Sequence, residues 1–122
     1  MEVITEILGK IGTDVESMEY GEYFILEREG FEDLIIEKKD DGYLSVMQYY
    51  LQNMDMMRDP EIVFDVTGDE WTPVMYENSP MTYRTSEGGL DGLDEFIETW
   101  NDNLRKQGFV EAAEDVETEA AA

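Results

Sequence analysis

At 122 residues the chain fits a single domain, and its 42% hydrophobic and 11% aromatic content is enough to build one core. Its 31 acidic against 8 basic side chains give a formal charge of −23, which repels nucleic acid and anionic membranes and favours a basic partner. With neither cysteine nor histidine, disulfides, thiolate and imidazole ligands, and the commonest nucleophile and general base are excluded together.

The first stretch, VITEILGKI, places Val3, Ile4, Ile7, Leu8 and Ile11 on one helical stripe, with Gly12 positioned as a left-handed C-terminal cap. It lacks the basic start and long apolar run of a signal peptide. Nothing in the chain reaches the roughly 18 apolar residues of a membrane span, so a cytoplasmic location in a bacterial host is expected. EYFILE, DLIIEKK and YLSVMQYYL follow, rich in aromatic and β-branched residues and separated by REGFE and DDG, which is the pattern of antiparallel strands joined by short turns. Tyr43, Tyr49 and Tyr50 are expected as core and cross-strand partners, because no basic groove accompanies them to make a base-stacking platform.

In QNMDMMRDPEIVFDV, Pro60 after Asp59 marks a turn that would hold Met54, Met56 and Met57. The alternation of Ile62, Phe64 and Val66 predicts a strand over EIVFDV. GDEW then turns into TPVMYE, whose Pro73 belongs at an edge or at a strand start, since proline donates nothing to a ladder. MTYRT offers a last, weak strand. SEGGLDGLD reads as a hinge rather than a phosphate cradle, because no Lys-Ser or Lys-Thr follows it and Glu87, Asp91 and Asp94 would repel phosphate.

From Asp91 the period changes to 3.6. Leu93, Phe96, Ile97, Trp100 and Leu104 share a face, Asp91 is placed to cap the N-terminus, and Arg105 and Lys106 complement the dipole before Gly108. Residues 1–110 are therefore expected to form one α+β domain. It would be an antiparallel sheet of about five strands with this C-terminal amphipathic helix and the short N-terminal helix packed on it. Residues 111–122, EAAEDVETEAAA, are expected to be frayed or disordered, and they hold only five of the 31 acids, so the acidity belongs to the body.

Carboxylates are so frequent that paired spacings arise by chance, so no catalytic residue is assigned and no enzyme is expected. Neither DMMRDPE nor DVTGDEW matches a helix-loop-helix calcium loop, so no metal and no cofactor is expected. The charge has a nearer counterpart in DNA, which carries one phosphate per about 1.7 Å of duplex axis, so that a domain about 40 Å long faces roughly 24 phosphates. Carboxylates in place of phosphates would occupy a DNA-binding groove, with steering to speed the encounter.

The runs LSVMQYYLQNMDMMRDPEIVFDV and EWTPVMYENSPMTYR resemble a small domain of unknown function carried by plasmids, phages and conjugative elements of bacteria, often Gram-positive. The resemblance lies in Tyr50, Gln52, Asn53, Asp55, Met57, Asp59, Pro60 and Glu61, then in Trp71, Pro73 and Tyr76, and spans about residues 30 to 85. It implies a mobile-element origin and brings no activity. In size and charge the chain is also similar to the inhibitors of RNA-guided nucleases (anti-CRISPR proteins) and of restriction enzymes that such elements encode.

The expected function is thus an inhibitor that binds a basic, DNA-binding host nuclease. Its expected contacts are Asp55, Asp59, Glu61, Asp65, Asp69 and Glu70, with Met56 and Met57 as apolar anchors. The alternatives are a non-inhibitory interaction module of a mobile element and, third, a carboxylate-based hydrolase.

Overall fold

The computed structural model describes residues 1–40, 42–78, 82–86 and 88–115. Among them, six strands form one antiparallel meander in sequence order: β1 (Tyr23–Leu26), β2 (Asp33–Asp40), β3 (Tyr43–Gln52), β4 (Asp55–Asp65), β5 (Thr72–Asn78) and β6 (Thr82–Thr85). Helix α1 (Glu2–Ile11), helix α2 (Asp94–Lys106), the short α3 (Phe109–Ala112) and a 3₁₀ turn (Ala113–Asp115) pack together against one face. The fold is α+β as expected, and the weak MTYRT strand is real, which makes the strands six rather than about five. No described helix is long and apolar enough to cross a membrane.

Period-2 alternation builds the core. Phe24, Ile36, Val46 and Ile62 lie in one register row on the helix-bearing face, with Leu26 and Leu34 on one side and Leu44 and Phe64 on the other. All five stripe residues of α1 are buried on this face, each burial contributing about 1.5–3 kcal/mol. Gly12 closes that helix at φ +103°, its N–H reaching the Leu8 and Gly9 carbonyls, a conformation that a side chain would strain.

Helix α2 buries Trp100 and Leu104 fully and Phe96 and Ile97 in part, as its period predicts. It starts two residues later than expected. Asp91 is not its cap: Leu93 occupies that position, buried, with no side-chain capping bond, and Asp94 and Glu95 stabilise the first turn through the dipole alone.

Two further expectations are corrected. Pro60 does not mark a turn; the turn is Asn53–Met54, two residues at φ +53° and +71° between the paired Gln52 and Asp55, the left-handed pattern of a type I′ hairpin. Pro60 lies inside β4 at a bulge, where Asp59 and Pro60, joined by a cis peptide bond, together oppose Gln48 between the pairs Met47–Glu61 and Tyr49–Arg58. That is the one kind of place where a central strand tolerates a residue without an N–H. Pro73, by contrast, lies at the start of β5 as expected, opposite Phe64 and before the stretch from Met75 to Asn78 that pairs with β6.

At the other end of the chain, Ala112 and Ala113 are buried in the core and Lys10 pairs with Glu114, so the ordered body runs past residue 110. Alanines were too small to predict this. The remainder of the expected tail, residues 116–122, lies outside the described residues.

Candidate interaction surface

The face of the sheet that carries no helix is built from the opposite parity. Ile25, Ile35, Met47, Glu61, Glu77 and Tyr83 stand in register across all six strands, and Tyr23, Glu37, Ser45, Val63, Met75 and Thr85 form the adjacent row. Tyr23, Ile25, Leu51, Met56 and Tyr83 are all exposed on this face, which makes it the principal apolar surface among the described residues.

Its centre is polar but closed. Glu61 is only 6% exposed and accepts hydrogen bonds from Ser45 Oγ (2.6 Å) and Arg58 Nε (2.9 Å), while Glu77 lies 3.7 Å from the same Arg58 nitrogen. A buried carboxylate is tolerated only with such partners. Glu61 therefore anchors strands β3 and β4 to each other and does not serve as an outward contact, which corrects its assignment to the partner surface.

The other expected contacts divide between faces. Asp55 is exposed at the start of β4 and Met57 is half-buried, both on the helix-bearing side, whereas Met56 (41% exposed) pairs with Leu51 (67% exposed) on the open side. Met54, at 94% exposure, is the hairpin tip. The three methionines are thus not one patch, although the tip, Leu51, Met56 and the nearby exposed Phe31 keep that end apolar. Tyr43, Tyr49 and Tyr50 are cross-strand partners as expected, paired with Asp65, Arg58 and Met57, but half-buried and not core; burial and the neighbouring Asp33, which accepts a 3.3 Å bond from the Tyr49 hydroxyl, push the Tyr49 pKa up.

Asp65 closes the far end of β4, where its Oδ1 accepts bonds from Thr67 Oγ1 (2.6 Å) and Thr67 N (3.0 Å), which lower its pKa. Asp69 and Glu70 are exposed in the loop beyond. Since β4 is an 11-residue strand, Asp55 and Asp65 stand roughly 33 Å apart. The set spans the molecule and does not converge on one spot.

The bulge creates a site that periodicity did not reveal. Asp59 is turned toward Glu32, and burial, a side-chain hydrogen bond with Asp59 and repulsion from its charge push the Glu32 carboxyl up to about 7. Beside it, Gln48 accepts a 2.9 Å bond from the buried Trp100 indole and donates to the Glu32 carbonyl (3.3 Å) and to Gln107 Oε1 (3.1 Å). Asp59, Gln48, Asn78, Asn103 and Gln107 line a cleft of ≈ 220 Å³ there. A hydrogen bond between the two carboxyls favours a single proton held at Glu32, so the pair couples the chain just before β2 to the β4 bulge.

The basic residues are employed internally. Lys10 pairs with Glu114, Lys39 with Glu37, Arg58 with Glu61 and Arg105 with Glu6, while Lys38 donates to the Val15 carbonyl, Arg28 to that of Gln107 and Arg84 to that of Asp91. Of the eight, this leaves Lys106 alone outside such contacts among the described residues. The field presented to solvent is accordingly that of the unpaired acids.

These features define a small, strongly acidic α+β domain with one sheet face open. The chain belongs to a family described as Domain of unknown function (DUF6908), whose model matches residues 2–110. No curated protein and no solved structure matches it.

Proposed function

We propose that this chain is an acidic protein-binding domain, that its partner is a basic, DNA-binding protein, and that binding blocks the partner's nucleic-acid site. The observation that carries this reading is the internal use of the basic side chains: the cations brace the fold and the excess of carboxylates faces outward. A channel lined with Arg and Lys for duplex DNA would be attracted to such a surface at a steered rate. A host-defence nuclease, whether RNA-guided or of the restriction type, is the partner class this reading favours, in the cytoplasm of a bacterium that carries a mobile element. No chemical step is assigned to the chain.

The exposed Tyr23, Ile25, Leu51, Met56 and Tyr83 support a second reading, because a pure phosphate mimic does not need an apolar sheet face. In that reading the domain joins a basic partner without competing with DNA. Capture from host lysate at low and high salt, followed by challenge with duplex DNA, separates the two. Release of the partner by DNA is the expected result; a partner that DNA leaves bound would refute the blocking role and keep the docking role, and capture of nothing basic would refute both.

A further inference from the structure

At the end of β4 remote from the hairpin tip, a cleft of ≈ 450 Å³ opens between α1, α2 and the start of β5. Its apolar wall includes Phe64, Trp71 and Ile97, and the Phe64 and Trp71 rings, 5.5 Å apart at 52°, hold the half-buried indole in place. Glu2, Asp94, Glu98 and Asp102 form the rim, and a smaller cleft of ≈ 290 Å³ bordered by Asp14 and Glu16 also reaches Trp71.

Asp94, Glu98 and Asp102 follow one another at i, i+4 and i+8 on a single ridge of α2, where like charges oppose helix formation. None of the three, nor Glu2, has an ion pair among the described residues, although Arg105 is on the same helix and goes to Glu6 instead. The helix dipole favours Asp94 in the first turn but not Asp102 near the other end, and a cation in the cleft would offset the repulsion along the ridge. The Met1 amino group also borders the cleft on the Glu2 side; burial lowers its pKa and the Glu2 charge opposes that, which leaves the α2 carboxylates as the unpartnered part of the rim.

The chemistry of the cation follows from the wall and the rim together. No three acids among the described residues converge closely enough to hold a metal ion. A broad carboxylate rim over an indole suits a flat, weakly hydrated cation that stacks on the ring and donates N–H groups outward, which is a guanidinium rather than a compact ammonium. Resting on the reading of the chain as a binder of a basic protein, we infer that this cleft receives an arginine side chain of the partner, its guanidinium on the Trp71 indole and its N–H groups on the α2 carboxylates.

The two tryptophans make the test internally controlled. Trp71 lines the cleft, and Trp100 is buried with its N–H bonded to Gln48. In an NMR titration of the full chain with N-acetyl-arginine amide at constant ionic strength, the Trp71 indole resonance should move saturably, with a dissociation constant on the order of millimolar, while that of Trp100 stays. N-acetyl-citrulline amide, the neutral isostere, should leave both unmoved, and N-acetyl-lysine amide should bind more weakly than the arginine compound. Glu98→Gln with Asp102→Asn, both at exposed helix positions, should weaken arginine binding about three- to tenfold.

A Trp71 resonance that does not respond, or responds equally to citrulline, overturns the inference. So does a captured partner whose affinity is untouched by the Glu98→Gln, Asp102→Asn pair, and in that case the proposed function survives. Saturable arginine binding to a chain that captures no basic protein would instead sink the proposed function and keep the cleft.

Discussion

Replacing Glu32 with Gln should change how stability depends on pH without disturbing the fold. The folded chain holds the Glu32 proton up to about 7, against an ordinary value of 4.5, because the carboxyl is partly buried beside Asp59. The unfolded chain releases that proton near 4.5, so this group favours folding fully at lower pH and loses its advantage as the pH rises from 4.5 to about 7. Taken whole, the difference would be worth at most roughly 3 kcal/mol; Glu32 is only half-buried, and solvent screening brings the expected figure to about 1 kcal/mol. Glutamine keeps an N–H donor for Asp59 and never ionises. Urea unfolding should therefore give the two chains equal stability near pH 4.5 and leave Glu32→Gln ahead by about 1 kcal/mol at pH 8. Ionisation of the other acids is common to both chains and cancels in the difference. A difference that is flat across pH 4.5–8 would refute the proton-sharing account.

Gln48→Met keeps the volume but strips the buried Trp100 N–H of its 2.9 Å acceptor, so a loss of about 2–4 kcal/mol is expected by chemical denaturation, and a loss under about 0.5 kcal/mol would show that the Gln48 bonds are immaterial. Met54→Gly relieves a non-glycine residue at φ +71° with no contacts to lose, and should raise stability by about 0.5–1 kcal/mol; destabilisation would contradict the hairpin geometry. Ile25→Asp with Met56→Asp should leave stability within about 1 kcal/mol, since both side chains are exposed, yet reduce affinity for a captured partner at least about tenfold; unchanged affinity would remove the open sheet face from the interface. Asp69→Asn with Glu70→Gln should slow association and flatten its salt dependence with little effect on dissociation, and stopped-flow mixing at two ionic strengths would register the opposite if these acids made short-range contacts.

Where one face of an element is buried and the other wet, its periodicity carried the fold: the α1 stripe, the Ile62–Phe64 alternation and the Trp100–Leu104 face all pack as the residue order requires. The hairpin was missed because its second turn residue is Met54, where a left-handed position ordinarily asks for glycine; Asn53 was the remaining signal. Pro60 was legible only as an interruption. A proline ends a ladder either by a turn or by a bulge, and the choice between them depends on β3 being long enough to pair on both sides of it, which is tertiary information. That single extra residue also misled the site assignment, since it resets the parity of β4 and sends acids that look contiguous to opposite faces.

The separation of those acids bears on how such a surface can be specific. Steering depends on net charge and acts from every direction, so a body with carboxylates on both faces and at both ends of β4 accelerates encounter without choosing an orientation. Orientation has to come from short-range features, and these are unevenly distributed: an open sheet face with exposed Ile25, Leu51 and Met56, and an indole cleft at the opposite end of the strand from the hairpin tip. Charge alone would bind any basic protein weakly and release it in salt. A partner that is retained in salt must therefore engage at least one of these two apolar features, and because the open face lies on the side without helices and the cleft beside α1 and α2, a single globular contact of standard size would span both only by wrapping around the sheet.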